Sequence, residues 1–246
     1  MQYLKYFKPK QKILLRPFGP TLPPRRFEVL TAYFQGHGPS YFDLALPYRT
    51  PEGEHYPFTP GMPFEILSDA MGLGIRLTGR FREMRGTDLL RVEINDDLEV
   101  FQRRSQQRVE TSTGLQFTRG QGKLRSFRDQ WQRNIHILET KPDLSQLPSF
   151  PDCRVNLSSS GIRFSIKTPA EAADLCLLLL DLHDRCPPVC ALAEVVWTGD
   201  ADEEGRRPTG MQFINILESD QERIESFVRR NAQQGTGEGN RGSLPI

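Results

Sequence analysis

The stretch VNLSSSGIRF, residues 155–164, is typical of a β-hairpin, with a strand, a Ser-rich turn and a second strand. Asn156 carries both a donor and an acceptor and can pair with the edge of a nucleobase, and Ser158 adds a hydroxyl. Gly161 permits a positive φ and would leave room for a ligand to approach the backbone. The same residues could simply form the turn. The stretch therefore predicts a hairpin that is either purely structural or part of a binding site.

Short strand patterns separated by turn residues lie on both sides of this hairpin. Six of these patterns lie within residues 13–94: ILLRPF, FEVLTAYF, SYFDLALPY, PFEILSD, GIRLTGRFREM and LLRVEI. Six more lie within residues 114–217, and CRVNL and GIRFSI among them are the strands of the hairpin itself: GLQFTR, NIHILE, CRVNL, GIRFSI, LAEVVW and TGMQFINIL. Strands at this spacing predict an all-β chain built from small barrels or sandwiches.

Helices are expected in few places. In SDQERIESFVRRNA, Ser219 and Glu222 form a capping-box pattern ahead of an apolar stripe, which predicts a C-terminal helix. LRSFRDQWQRN could be a short helix or an irregular insert. KTPAEAADLCLLLLDL could continue as a helix from Thr168, Pro169 and Glu171, or form one turn followed by a buried strand.

Composition limits the classes of partner. The 246 residues carry a formal net charge of +1, which argues against duplex DNA or an anionic membrane as the main partner. No signal peptide is evident, and the longest apolar run, LCLLLL, is too short to span a bilayer. Four cysteines in a chain of this length predict reduced thiols and a cytoplasmic location. The tail from 233 to 246 is expected to be disordered.

A basic cluster, QRRSQQRVE, occupies residues 102–110. Arg103, Arg104 and Arg108 each offer a planar fork of donors for phosphate and a flat face that can stack on a base. Short basic clusters are also common on solvated linkers. The cluster alone therefore leaves both interpretations open.

Together, R-x-x-x-R in QRRSQQR and N-x-S-x-x-G in NLSSSG resemble the PilZ family of cyclic di-GMP receptors. The resemblance covers about 103–232, and the half before it is similar to the β-barrel of flagellar-brake (YcgR-like) proteins. It implies two tandem β-barrels, the second a six-stranded PilZ barrel with a C-terminal helix. The implied domains are 1–101 and 102–232, with the arginine loop at 102–108 as linker. It also favours a strand for LCLLLLDL and implies an insert over 123–150.

The resemblance also implies a site and a function. Arg104 and Arg108 would clamp phosphates with support from Arg103, while Asn156 and Ser158 would contact the ligand beside Gly161. Trp197 is a weaker candidate. The implied protein is a bacterial cyclic di-GMP effector that changes interdomain orientation and controls motility or surface behaviour through a protein partner, without DNA binding or membrane insertion.

Two alternatives remain open at this point. The chain could be a PilZ-fold interaction module that does not depend on the nucleotide, or a binder of RNA or single strands that uses the same arginines. The near-neutral charge and the lack of an aromatic stacking row argue against the second.

Other chemistry is not favoured by the sequence. His183, Cys186 and Cys190 would need Cys153 to complete a zinc site, and their spacing is not a standard one. MGLGIRLTG lacks the G-x-G-x-x-G spacing of a dinucleotide site. No nucleophile, base and orienting acid follow a recognisable order. We therefore expect no metal, no cofactor other than the cyclic di-GMP ligand, and no enzymatic activity.

Overall fold

The computed structural model describes residues 5–19, 25–48, 56–102, 107–120, 124–140, 150–167 and 169–237, with side chains to 233. The chain divides into two compact units. One comprises Met1–Ser105 with Gly120–Asp129, and the other Gln106–Arg119 with Gln130–Ile246.

The first unit is built on a closed six-stranded antiparallel barrel. Its strands, with two short additional ones, are β1 (Lys12–Pro17), β2 (Arg26–Glu28), β3 (Leu30–His37), β4 (Tyr41–Ala45), β5 (Pro63–Ala70), β6 (Leu73–Arg85), β7 (Leu89–Ile94) and β8 (Glu99–Phe101). The barrel order is β5-β1-β3-β4-β7-β6, closed by β5 against β6, and β8 adds to β6. All six strand patterns predicted for this half are confirmed.

Alternating apolar residues explain these strands. In β1 the side chains of Ile13 and Leu15 are completely buried, while their neighbours Lys12, Leu14 and Arg16 are more exposed. Such alternation places one face of each strand in the barrel interior.

A buried polar cluster belongs to the same unit. The Arg128 guanidinium lies 2.7 Å from a Glu28 carboxylate oxygen and 4.5 Å from the centre of the Tyr56 ring. Burial raises the pKa of the Tyr56 hydroxyl, and the negative charge of Glu28 adds to this effect.

The second unit contains the other barrel. Its elements are β9 (Val109–Gly120), α1 (Leu124–Thr140), β10 (Asp152–Ser158), β11 (Gly161–Ile166), β12 (Leu175–Asp181), β13 (Val189–Thr198), β14 (Arg207–Leu217) and α2 (Glu218–Gly237), although the first turns of α1 group with the first unit. The barrel order is β11-β10-β9-β12-β13-β14, and β11 closes against β14. The predicted six-stranded barrel with a C-terminal helix is confirmed.

All of LCLLLLDL except its last residue forms strand β12, as the resemblance favoured. Most of its side chains are buried on both faces, so the apolar run has no polar side. No helix occurs over 169–174, where the alternative would have started one; Thr168 itself lies outside the described residues.

The strand predicted for NIHILE is wrong, because these residues are part of helix α1. Leu124, Trp131 and Ile135 are buried along the helix, at spacings that bring them to one side. The insert is therefore helical over 124–140, and residues 141–149 lie outside the described residues.

Helix α2 begins at Glu218, directly after β14, and buries the predicted stripe of Ile224, Phe227 and Val228. It continues to Gly237, beyond the point where the disordered tail was predicted to start. Residues 238–246 of that tail lie outside the described residues.

Candidate functional site

The β10–β11 hairpin brings the second sequence motif together. Asn156 pairs with Arg163, and Ser158 pairs with Gly161. Because side chains alternate along a strand, these four residues share the face opposite the buried Leu157. The motif residues therefore lie on the outer face of the barrel.

Neighbouring strands extend this face into a row of five residues. Asn156 pairs with Glu110 of β9, Arg163 pairs with Gly210 of β14, and Gly210 pairs with Trp197 of β13. The row thus runs across the sheet in the order Glu110, Asn156, Arg163, Gly210 and Trp197, which we call the outer row. It combines an acid, an amide, a guanidinium and an indole on one surface.

Glu110 accepts two hydrogen bonds at one end of the outer row. Asn156 Nδ2 donates to Glu110 Oε1 over 2.8 Å, and the Arg163 guanidinium donates to the same oxygen. The side chains of Arg163 and Glu110 are 44% and 46% exposed, so both remain accessible to a ligand.

Arg163 and Glu110 were not predicted as site residues. Arg163 stands two positions after Gly161, so strand alternation puts it on the motif face, and Glu110 stands two positions after Arg108. That spacing was the available signal, but pairing between strands was needed to show that both meet Asn156.

Ser158 is almost completely buried, with 1% of its surface exposed. Its hydroxyl donates to the Gly161 carbonyl over 3.2 Å. Nearby, Gln221 Nε2 of α2 donates to the carbonyl of Ser159 over 3.1 Å, which fixes the hairpin tip to the helix. Ser158 thus has a structural role in the turn, and its contact with a ligand stays a prediction.

Gly161 does not adopt the positive φ that glycine permits. The position needs glycine for another reason. A Cβ at Gly161 would collide with the main-chain carbonyl of Met211 in β14. The space at Gly161 is therefore taken by the strand that closes the barrel, and its role towards a ligand stays a prediction.

Trp197 lies at the far end of the outer row with 44% of its surface exposed. Its indole lies over Gly210, where a Cβ would overlap the ring nitrogen. The missing side chain thus lets the indole lie close to the sheet, two strands away from Arg163. The structure places this weaker candidate on the same face as the motif.

Arg108 is exposed and directly precedes Val109, which pairs with Leu157. It therefore lies just before the first residue of β9, next to the β10–β11 hairpin. Arg103 and Arg104 lie outside the described residues, as does most of the predicted linker. The structure thus brings one of the three arginines to the motif.

The other candidate chemistry finds little support in the described part of the chain. There, no group of three His, Cys, Asp or Glu side chains is placed to hold a metal ion. Burial raises the pKa of the Cys176 and Cys190 thiols to about 12, so both stay protonated and poorly nucleophilic at neutral pH. Neither helix has, over its described length, the apolar stretch needed to cross a bilayer.

Residues 102–230 match the family described as PilZ domain, which is just over half of the chain. The chain therefore belongs to the PilZ-domain family. The match indicates no catalytic family, and a search of curated proteins found no match.

Several solved structures are similar. The Bacillus subtilis inhibitor of motility MotI/DgrA has 12% identity and a TM-score of 0.36, covering 93% of this chain and 99% of that one. K. pneumonia MrkH has 13% identity and a TM-score of 0.41, covering 96% and 90%. Escherichia coli YcgR, in complex with c-di-GMP, has 10% identity and a TM-score of 0.34, covering 94% and 88%.

Proposed function

We propose that this PilZ-domain protein is a non-enzymatic receptor for cyclic di-GMP. The observation that carries the proposal is that both motifs implied by the family resemblance, R-x-x-x-R and N-x-S-x-x-G, stand inside the matched range 102–230. The placement of Arg108 beside the hairpin with Asn156 supports it further, since the two motifs are distant in sequence.

The chemistry of the outer face suits such a ligand. Cyclic di-GMP carries two phosphodiester anions and two guanines. Guanidinium groups at Arg108 and Arg163 can bind phosphate through paired N–H donors or stack on a guanine. Asn156 can pair with a guanine edge, and the indole of Trp197 offers an exposed ring face for stacking.

The arginine loop at 102–108 suggests how binding is transmitted. Arg103 and Arg104 belong to it, and in sequence it connects the two barrels. A ligand held by the residues that connect two domains favours some relative orientations of those domains. We infer that cyclic di-GMP changes the interdomain orientation and thereby controls a protein partner, in the cytoplasm of a bacterium, with an effect on motility or surface behaviour.

Calorimetry with cyclic di-GMP tests the receptor function. The wild type is expected to bind, and Arg104→Ala and Arg108→Ala should each weaken binding by about tenfold or more, because truncating a charged hydrogen-bond partner costs about 1.5–3 kcal/mol. Asn156→Ala, which removes a neutral partner, should weaken it by a smaller factor of about two- to tenfold. Arg229→Ala, which removes an exposed arginine from α2, is the control and should leave the affinity unchanged.

Absence of binding to the wild type would overturn the proposal. Binding that survives all three site substitutions would place the ligand elsewhere. Small-angle scattering with and without the ligand tests the inferred change in orientation, and identical curves under saturating ligand would contradict it. Partner binding that is the same with and without the nucleotide would instead support the interaction-module alternative.

A further inference from the structure

We propose that Glu110 is an internal competitor of the ligand, which holds donors of the outer row while the site is empty and must release them when cyclic di-GMP binds. This inference rests on the proposed function and deepens it. In this inference, Glu110 limits the affinity of that site for cyclic di-GMP.

The geometry supports competition. A single carboxylate oxygen, Glu110 Oε1, accepts from both Asn156 Nδ2 and the Arg163 guanidinium. A phosphate or guanine oxygen of the ligand would accept hydrogen bonds from the same two donors. Like a phosphate, a carboxylate is an anion whose oxygens accept such bonds. Glu110 thus occupies part of the position that an anionic ligand would take.

The exposure of the contact makes release possible. Both charged side chains are nearly half exposed, and ion pairs of this kind are weak because water and salt compete with them. A buried pair would resist exchange, whereas this one can open at small cost. The competitor should therefore lower the affinity by a modest factor without blocking the site.

Charge adds a second contribution in the same direction. The ligand carries two negative charges, and a carboxylate at the edge of its site repels them over distances within the Debye length. Removal of the Glu110 charge should therefore favour the ligand even where no hydrogen bond is exchanged.

The opposite role would be positioning, in which Glu110 orients Arg163 and Asn156 for the ligand. The two roles predict opposite changes in the affinity for cyclic di-GMP when Glu110 is replaced. Loss of a competitor tightens binding, and loss of a positioning residue weakens it.

Calorimetry with cyclic di-GMP at fixed ionic strength measures this sign. Glu110→Gln and Glu110→Ala are expected to bind about two- to fivefold more tightly than the wild type, the range that loss of an exposed ion pair allows. The matched control is Glu225→Gln in α2, which also removes an exposed carboxylate paired with an arginine, Arg229, at 3.3 Å. It should leave the affinity unchanged.

A second background localises the effect. In Arg163→Gln, the further change Glu110→Gln should give a smaller gain than it gives in the wild type, because one of the two donors it frees is no longer present. An equal gain in affinity in both backgrounds would show that Glu110 acts only through its negative charge, and it would overturn the proposal.

The outcomes also separate this inference from the receptor function. If the wild type binds and the Glu110 variants bind equally or more weakly, the competitor role is wrong and the receptor function stands. If the wild type and the Glu110 variants, all folded by circular dichroism, bind no cyclic di-GMP, the receptor function fails and the inference falls with it. Equal tightening in Glu225→Gln would also refute the competitor role.

Discussion

The indole nitrogen of Trp131 donates a hydrogen bond of 2.9 Å to the main-chain carbonyl of Cys190. Trp131 lies in helix α1 and is 1% exposed, and Cys190 lies in the completely buried part of β13. The bond gives the N–H of the buried indole an acceptor. It anchors the inserted helix to the wall of the second barrel.

Substitution of Trp131 should therefore destabilise the protein. Trp131→Phe leaves the Cys190 carbonyl without this donor and should lower the free energy of unfolding by about 1–3 kcal/mol. Trp131→Ala also leaves a cavity and should cost about 3–5 kcal/mol. Urea denaturation followed by circular dichroism measures both. Trp197→Phe, at an exposed position, is the control and should change stability by less than about 0.5 kcal/mol.

Gly161 should be intolerant of a methyl group. Gly161→Ala places a Cβ against the Met211 carbonyl and should lower stability by about 1–3 kcal/mol, since the closing strands must move apart. Gly36→Ala, where a Cβ meets nothing within 4 Å, is the matched strand control. Stability and ligand affinity need to be measured on the same variant. A fully stable Gly161→Ala protein would show that β14 does not impose the glycine.

Asp220 should give stability a specific dependence on pH. Burial raises the pKa of its carboxyl, and Arg223 opposes the rise only in part. The folded protein therefore retains this proton to higher pH than the unfolded chain, in which the pKa is about 3.9. The stabilisation is fully present below that value and is lost as the pH rises through the folded pKa. Relative to Asp220→Asn, the wild type should thus become less stable on going from pH 4 towards neutrality, as urea titrations would show.

Asp202 provides a comparison with the opposite sign. Hydrogen bonds from the Arg206 main-chain N–H and guanidinium lower the pKa of its carboxyl. Its contribution is present above the unfolded pKa and is lost as the pH falls through the folded value. Relative to Asp202→Asn, the wild type should lose stability on acidification. Equal slopes for the two variants would contradict both assignments.

The four cysteines should react with thiol reagents in a fixed order. Cys186 is exposed and should react first, and Cys153 is half-buried, with a pKa that burial raises. Cys176 and Cys190 are buried, with pKa values of about 12, and should react only after unfolding. Mass spectrometry after timed labelling with iodoacetamide at neutral pH measures the order. Early labelling of Cys190 would show that β13 opens locally.

The first barrel could be predicted almost completely because its strands alternate between buried and exposed residues, as in Ile13 and Leu15 of β1. β12 could not be decided by periodicity, because burial on both faces removes the alternation that distinguishes a strand from a buried helix. Helix α1 was missed at NIHILE because the local sequence alternates between apolar and polar residues over Ile135, His136 and Ile137, as a strand does. The helical spacing requires Leu124 and Trp131 as well.

The candidate site likewise contains residues that the sequence could predict and residues that it could not. Asn156, Ser158, Gly161 and the arginines could be named because they stand at fixed intervals in a motif. Glu110 could not, since its relation to Asn156 and Arg163 depends on the register of β9 against β10. The burial of Ser158 could not be predicted either, because it depends on how the hairpin tip is held and not on the local sequence.

The two tryptophans differ in their exposure to solvent, so their fluorescence can serve as an intrinsic probe of the protein. Trp131 is shielded from solvent, whereas Trp197 is exposed at the end of the outer row. A water-soluble quencher such as acrylamide will therefore extinguish the fluorescence of Trp197 first. Emission that responds to the quencher reports on the outer row, and the remaining emission reports on the packing of α1. One unlabelled sample can thus follow ligand titration and barrel integrity in the same cuvette.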